Sequence, residues 1–430
     1  MEVEPPQRSG AERRRLLDNI GSLYLLQGLN YVIPMAVLPY LVRVLGMETY
    51  GLVAFAQSFA QYFNIFTDYG FNFSATRSIA LNRDNVRETS RVFCCVFLIK
   101  TFLTLVGLTI LGCVLVFIPR MRHDWAIFLL AFSAVFGNVL FPVWYFQGLQ
   151  KMRYISVISG AAKVFSAILL FVFVHGPNDG ALAVGIQSMG MLLAGIVGFG
   201  VCVRSVQLQL RWPSWQDLQA SASEGWHLFV STAAVSLYTN TNVFLVGMLA
   251  GNIEAGYFSA AEKLIRAING LVGPITQAVF PHVNSLARAS SEIALLFIAK
   301  TLRWMSGITL VPVIALFLFA RPIAMLCFGS TAAGAVPIVR LIAPLPFLIA
   351  VSNVLGIQTM LTFGLDKQFS RILIAAGIVN IAIGVPLIAI FAARGAGASV
   401  LVTECIVTLA MSFVLRRNGI HIKFFERAIA

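Results

Sequence analysis

Charge is what this sequence has least of. Of 430 residues only 18 are acidic, and charged residues of all kinds make up 11%, less than half the ~25% usual in soluble domains. Histidine occurs five times, and no His-Glu-x-x-His, phosphate-binding P-loop or nucleophile elbow is present. Long polar stretches are missing too. The longest polar joint runs from Arg204 to Glu224, and the longest loop expected on the opposite side of a membrane spans about 14 residues, Arg321 to Gly334. Neither leaves room for a soluble catalytic domain, nor for the acceptor-binding loop that a membrane-embedded polymerase or ligase needs. The six cysteines, at 94, 95, 113, 202, 327 and 405, lie within or at the ends of apolar segments. None has metal-ligand spacing with histidine, so they read as small packing residues, and no metal or other cofactor is expected.

What is there is apolar. Hydrophobic residues make up 58% of the chain, with a mean hydropathy of +0.84, so the bilayer is the solvent for most of it. A spanning helix needs about 20 mostly apolar residues, and the pattern predicts an all-α polytopic membrane protein of about twelve spans. The basic cluster Arg13-Arg14-Arg15 precedes an apolar stretch, 17–42, that is too long for a signal peptide and is expected to be the first span. The predicted organisation is a basic N-terminal segment (1–16), a six-span lobe (17–203), a linker (204–224), a second six-span lobe (225–415) and a basic tail (416–430). That tail is a candidate for lying on anionic lipid, or for setting topology alone. With the N-terminus in the cytoplasm, 21 of the 31 Lys and Arg residues fall in cytoplasmic segments, six fall outside and four within spans. The positive-inside rule predicts this asymmetry when both termini are cytoplasmic. The net charge of +13 is therefore mainly topogenic, and no nucleic-acid partner is expected.

Two of the predicted spans carry the same polar stripe. Gln57, Gln61, Asn64, Asp68 and Asn72 recur at spacings of three and four, and 205 residues on stand Glu262, Arg266, Asn269, Gly273 and Gln277. Those spacings put each set on one helical face. A polar face within a bilayer must look at other protein or at a water-filled cavity. The turn glycines repeat as well: Gly46 and Gly51 map by the same offset onto Gly251 and Gly256. Gly148-Leu149-Gln150-Lys151 recurs as Gly364-Leu365-Asp366-Lys367, at an offset of 216. An even number of spans in each half makes the repeat parallel in the membrane, a transporter arrangement with a central aqueous path.

The charges inside spans each need a reason, since one at the bilayer centre costs about 2.5–3.5 kcal/mol on insertion scales. Glu262 and Arg266 stand at i and i+4 and can neutralise each other, or serve a site. Lys263 has no acid at helical spacing. Lys100 and Lys163 have none nearby in sequence, which leaves them to line a cavity, to snorkel or to pair between helices. Asp68 is either a proton or cation site or a helix cap beside Gly70, and Glu404 reads as a bond between helices. Arg77 and Arg371, at helix ends, suit topogenic charge better than lipid phosphates. Four buried cations against three acids leave an interior that is mildly positive, with Ser231, Ser236, Tyr238, Asn240 and Asn242 on span seven and Gln27, Asn30 and Tyr31 on span one. Such a lining suits an anionic, hydroxyl-rich substrate, whereas a cation or drug antiporter would bury acids.

The segment Arg43-Val-Leu-Gly46-Met-Glu-Thr-Tyr50-Gly51, followed by Asp68-Tyr69-Gly70 and Arg77, resembles the N-terminal signature of bacterial polysaccharide flippases of the Wzx type. Tyr238-Thr-Asn-Thr-Asn242 with Gly256-Tyr257-Phe-Ser-Ala-Ala261-Glu-Lys263 is similar to that family's second-half signature. The likeness extends over roughly residues 16–415. It implies membership of the multidrug/oligosaccharidyl-lipid/polysaccharide exporter superfamily, with two six-helix lobes around a central cavity. It also implies movement of undecaprenyl-pyrophosphate-linked oligosaccharide across the inner membrane for O-antigen, capsule or exopolysaccharide. A polysaccharide polymerase and a chain-length regulator are then candidate partners. Many relatives have an acidic residue where this chain has Asn242, which weighs against a coupling ion there. The two extra spans of lipid II flippases are missing.

The expected function is thus that of a flippase working by alternating access, not an enzyme. Its expected substrate site comprises Lys263, Arg266, Lys100, Lys163, Gln57, Gln61, Asn64, Glu262, Asn269, Tyr238 and Asn242, with Asp68 and Glu262 as coupling-ion candidates. The rivals are a polymerase or ligase of the same pathway and a small-molecule antiporter of the same fold.

Overall fold

The computed structural model describes residues 10–205 and 212–422; within that range the side chains of 10–27, 29–31, 205, 227, 231, 234–235, 237–238, 271–274, 277–278 and 330–332 are excluded. The expected roles of Tyr238, Gln27, Asn30, Tyr31, Ser231 and Gln277 therefore fall outside the described side chains, and most of the basic tail falls outside the described residues. In chain order the helices are α1 (Gly10–Asp68), α2 (Phe71–Leu81), α3 (Val86–Phe117), α4 (Pro119–His123), α5 (Trp125–Leu140), α6 (Val143–Gly148), α7 (Met152–Phe173) and α8 (Gly180–Ser205). They continue as α9 (Trp215–Leu249), α10 (Asn252–Ala289), α11 (Ser291–Leu318), α12 (Ala320–Phe328), α13 (Ala335–Ile342), α14 (Leu345–Asn353) and, after a π-helical stretch (Val354–Leu361), α15 (Asp366–Arg417).

The two longest helices, α1 with 59 residues and α15 with 52, are both broken. α1 bends at Gly46 (φ 73°, ψ 167°), a conformation that glycine adopts without steric cost. α15 breaks at Ala392 (φ 53°, ψ −133°), and the amide of the next residue, Ala393, donates to a Glu254 carboxylate oxygen at 3.1 Å. Cut there, and with α5–α6 and α13–α14 with the π stretch each counted once, the described helices make the twelve long segments expected of a polytopic all-α chain. Large apolar side chains stand exposed along them, such as Phe102, Ile168, Val311, Leu409 and Phe413, as a lipid-facing surface requires.

The chain divides into two units. The first comprises the stretch ending at Pro34, Ala60–Val174 and Ala181–Thr232; the second comprises Met35–Phe59, His175–Gly180 and Ala233 onward. In the first, Phe93, Trp144 and Tyr145 form a buried aromatic centre, with Phe93 edge-on to Tyr145 at 5.2 Å between centroids. Lipid tails are as apolar as these side chains, so shape complementarity and dispersion, not expulsion of water, hold such a centre together.

Two details differ from the sequence reading. Residues 215–224, expected as linker, are the first turns of α9. Ser214 and Asp217 cap that helix reciprocally: the Asp217 amide donates to Ser214 Oγ at 3.2 Å, and the Ser214 amide donates to the Asp217 carboxylate at 3.1 Å. This is a capping box, which satisfies two otherwise orphaned amides. Second, the repeated basic turn is aligned differently. Lys151 N–H donates to Phe146 O and Leu365 N–H to Met360 O, both at 2.8 Å, and the left-handed residues just before them are Gln150 (φ 58°) and Gly364 (φ 73°). These bonds, each spanning six residues, close matching helix C-termini, so the equivalent positions are Gln150 and Gly364, 214 apart, not Gly148 and Gly364. Composition had pointed to glycine, but the hydrogen-bond pattern decides.

Candidate functional site

In the first unit the polar stripe contributes to two hydrogen-bonded clusters. Asn64 Nδ2 donates to Gln61 Oε1 at 3.3 Å, and Asn138 Nδ2, from α5, donates to Asn64 Oδ1 at 3.3 Å. One turn further on, Lys100 Nζ of α3 reaches Asp68 Oδ1 at 2.8 Å, while Asn72 Nδ2 donates to Asp68 Oδ2 at 3.1 Å. Lys100 is 2% exposed, and a carboxylate meets it there, as a buried charge requires. Pairing between helices is thus what Lys100 does. Asp68 does not cap α2: the N-cap position is Gly70, with no side-chain cap bond, after a bend at Tyr69–Gly70 (φ 44° and 76°), and the Asp68 carboxylate meets Lys100 and Asn72 instead. Lys163 is exposed on α7 beside the exposed Val164 and Phe165.

In the second unit the matching stripe borders a cavity of about 490 Å³, lined among others by Asn242, Glu262, Arg266, Asn269, Ser352 and Glu404. Helix α10 brings Glu262, Arg266 and Asn269 to it from one face, as their spacing predicts. Arg266 Nη2 contacts Glu262 Oε1 at 3.0 Å, the Thr239 carbonyl oxygen at 3.0 Å and Asn240 Oδ1 at 3.1 Å. All three acceptors hold one nitrogen, which leaves Nε and Nη1 of a half-exposed guanidinium unengaged among the described residues. Asn242 is 3% exposed, and its amide oxygen has no hydrogen-bond partner among the described residues. An unsatisfied buried acceptor costs about 1–3 kcal/mol, a cost that a ligand hydroxyl would relieve. Lys263 is not among the residues lining this cavity; its Nζ lies 5.1 Å from the centre of the Tyr50 ring. Tyr50, from the second half of α1, is 1% exposed and shares a 3.4 Å hydrogen bond with Ser259. Gln57 is half-buried on α1.

Several residues here escaped the sequence reading. Asn138 and the Ser352-Asn353 pair are polar interruptions of apolar runs, a signal available in the sequence. The Thr239 carbonyl is a backbone atom, and no sequence signal marks it. Glu404 makes the expected bond between helices: Ser352 Oγ of α14 lies 2.5 Å from Glu404 Oε1.

Broken membrane-length helices, polar stripes confined to single faces and a cavity whose polar lining combines amides, one guanidinium and two carboxyls define an all-α polytopic transporter. Residues 16–287 match the family described as polysaccharide biosynthesis protein, and the chain is 36% identical over 400 residues to a protein of Escherichia coli (strain K12) named "Putative O-antigen transporter", covering 93% of this chain and 96% of that one. The chain therefore belongs to the polysaccharide biosynthesis family of membrane transporters, and not to a family of enzymes. Its fold is similar to the inward-facing conformation of a multidrug resistance MATE transporter (TM-score 0.66, 14% identity, covering 95% of this chain and all of that one). It is also similar to the lipid II flippase MurJ in an inward closed conformation (TM-score 0.74, 11% identity, covering 93% and 87%).

Proposed function

We propose that this chain flips undecaprenyl-pyrophosphate-linked oligosaccharide repeat units across the bacterial inner membrane by alternating access, for O-antigen, capsule or exopolysaccharide assembly. The single observation that carries this reading is Arg266: a guanidinium at the wall of a membrane cavity, pinned through one nitrogen, with its other edge unengaged among the described residues. An ionised phosphate oxygen makes charge-assisted bonds with such an edge. Around it, the unpartnered Asn242 oxygen and Asn269 offer hydrogen bonds to hydroxyl-rich sugars. Lys263 stands on the same helix as a second cation, screened by Tyr50. The polyprenyl tail would stay in lipid, and both termini would lie in the cytoplasm. Lys100 supports the reading least, because it is 2% exposed and paired with Asp68, whereas Arg266, paired with Glu262, is half exposed.

The test is reconstitution. In vesicles that carry a fluorescent undecaprenyl-pyrophosphate-linked oligosaccharide in the inner leaflet, the protein should expose the sugar to an added glycosidase far faster than empty vesicles do. Equal rates with and without protein would overturn the proposal.

A further inference from the structure

A second groove in the second unit, of about 470 Å³, shares no lining residue with the cavity around Arg266. Helix α14 with its π stretch, and the second half of α15, form a wall common to both. Val351 and Leu355 line the groove, whereas Ser352 and Ile357 line the cavity; on α15, Thr408 and Ser412 line the groove and Val407 and Met411 the cavity. The rest of the groove is mostly apolar, with Leu302 from α11, Phe347 and Leu348 from α14, and Leu409 from α15. Leu409 is 69% exposed, so the groove lies along the lipid-facing surface. Ser306, 9% exposed, also lines it, and its hydroxyl has no hydrogen-bond partner among the described residues.

One end of the groove is built by the C-terminus of α15. The Ile420 amide donates to the Leu415 carbonyl oxygen at 2.9 Å and the Gly419 amide to that of Arg416 at 3.1 Å, with Gly419 at φ 72°. This helix ending reverses the chain and brings apolar residues on either side of the glycine together. Ile420 and Ile422 accordingly pack against the cluster that contains Leu415, and Ile422 also packs against the one that contains Ile298. The reversal leaves Arg416 and His421, both exposed, as the basic residues of the groove. None of the residues lining it is acidic, and Arg416 has no ion pair among the described residues. From Thr408 to Arg416 the α15 wall rises about 12 Å at 1.5 Å per residue. The site therefore joins a strip of apolar wall to a cation at its end.

We propose that this groove binds an anionic glycerophospholipid of the surrounding bilayer, separately from the cavity around Arg266. An acyl chain lies along Leu302, Leu348, Val351 and Leu409, and the phosphate takes charge-assisted hydrogen bonds from the Arg416 guanidinium, with the His421 ring N–H as a second donor. The Ser306 hydroxyl donates to an ester carbonyl oxygen, which ends the cost of an unpaired buried hydroxyl. Charge complementarity selects the occupant: a groove with basic and no acidic lining residues favours a lipid with net negative charge over a zwitterionic one. The volume falls within the ~300–1,000 Å³ of ligand pockets. This assignment stands whatever the transporter's cargo is.

Photolabelling of the full chain in phosphatidylcholine vesicles, with a trace of phosphatidylglycerol that carries a diazirine on one acyl chain, tests the site without any transport substrate. Peptide mapping should find labels on 347–355 and 408–415 well above those around the lipid-facing Phe102. Added unlabelled phosphatidylglycerol should displace the groove labels. R416Q should lower them about threefold or more, the loss of one exposed charge pair, and leave the Phe102 labels unchanged. S412L keeps Arg416 but fills the groove, and should lower the groove labels as well. The proposal is overturned if groove and Phe102 labels are equal, if extra phosphatidylcholine competes as well as phosphatidylglycerol, or if both variants label like the wild type. Displacement by inorganic phosphate would assign the site to a free anion and overturn the lipid assignment. Labels that appear only after removal of residues 423–430 would make the tail the occupant, and would overturn it too.

Discussion

Gly51 packs against the backbone carbonyl of Asn252, so closely that a methyl group on Gly51 would lie 1.7 Å from the Asn252 oxygen. The contact has a counterpart 205 residues away: a methyl group on Gly256 would lie 2.4 Å from the Met47 carbonyl oxygen, and Met47 is the residue that corresponds to Asn252. Such reciprocity is what a pseudo-two-fold axis between duplicated elements produces. Just before each contact, Gly46 (φ 73°, ψ 167°) and Gly251 (φ 107°, ψ 169°) adopt the same type of backbone. The duplicated glycines thus serve two ends, one permitting the turn and the other the close helix crossing.

Gly256→Ala should consequently lower stability by about 1–3 kcal/mol, the usual cost of overpacking, and Gly51→Ala should do at least as much. Denaturation of the purified variants in detergent measures the loss. A Gly51→Ala protein as stable as wild type would contradict the crossing.

The pair formed by Lys100 and Asp68 makes a second forecast. Asp68→Asn leaves a 2%-exposed ammonium without its carboxylate, at a cost of about 2–3 kcal/mol, below the ~3–5 of a fully buried pair because Asp68 is a quarter exposed. The double variant Asp68→Asn with Lys100→Met should recover most of the lost abundance in the membrane, since it removes both charges. Quantitative blotting of membranes distinguishes the two. Recovery of abundance without recovery of export would give the pair a role in transport as well.

For the cavity, Arg266→Ala and Lys263→Ala should abolish surface polysaccharide while leaving membrane abundance nearly normal. The reason is the loss of charge-assisted bonds worth roughly 1.5–3 kcal/mol each. If Arg266 merely neutralises Glu262, the double change Glu262→Gln with Arg266→Gln should restore export. Immunoblots of surface polysaccharide beside protein abundance decide between the two outcomes.

Acid should release the start of α9. The Ser214 hydroxyl and amide, and then Arg91 at 2.6 Å, hold the Asp217 carboxyl below the usual carboxylate range. A carboxyl whose folded value is depressed stabilises the fold above its unfolded value, and that contribution disappears as pH falls through the folded value. Melting curves of the wild type should thus drop in acid relative to neutral pH by more than those of Asp217→Asn. Parallel curves for the two proteins at every pH would remove this cap from the account.

Topology follows from the Lys and Arg distribution. Reporter fusions at Gly176 and Gln219 should report the outside and the cytoplasm respectively. If both report the same side, the span order is wrong.

The sequence by itself determined the class, the number of long helical segments and the faces on which polar residues fall. Those features follow from local rules: apolar length against bilayer thickness, the 3.6-residue period, and glycine at turns. Where the chain's own chemistry is local, as in the Ser214–Asp217 capping box, the signal stands in the sequence. Tertiary structure decided who meets whom. Lys100 sits 32 residues from Asp68 in sequence, and Ser352 sits 52 from Glu404; no spacing rule joins them, because their proximity depends on how separate helices pack. The same holds for the Thr239 carbonyl that anchors Arg266, a backbone atom common to every residue type. Helical periodicity assigns a residue to a face, but only the packing of helices supplies the partner opposite it, and in a medium without water that partner decides whether a charge is glue or a site.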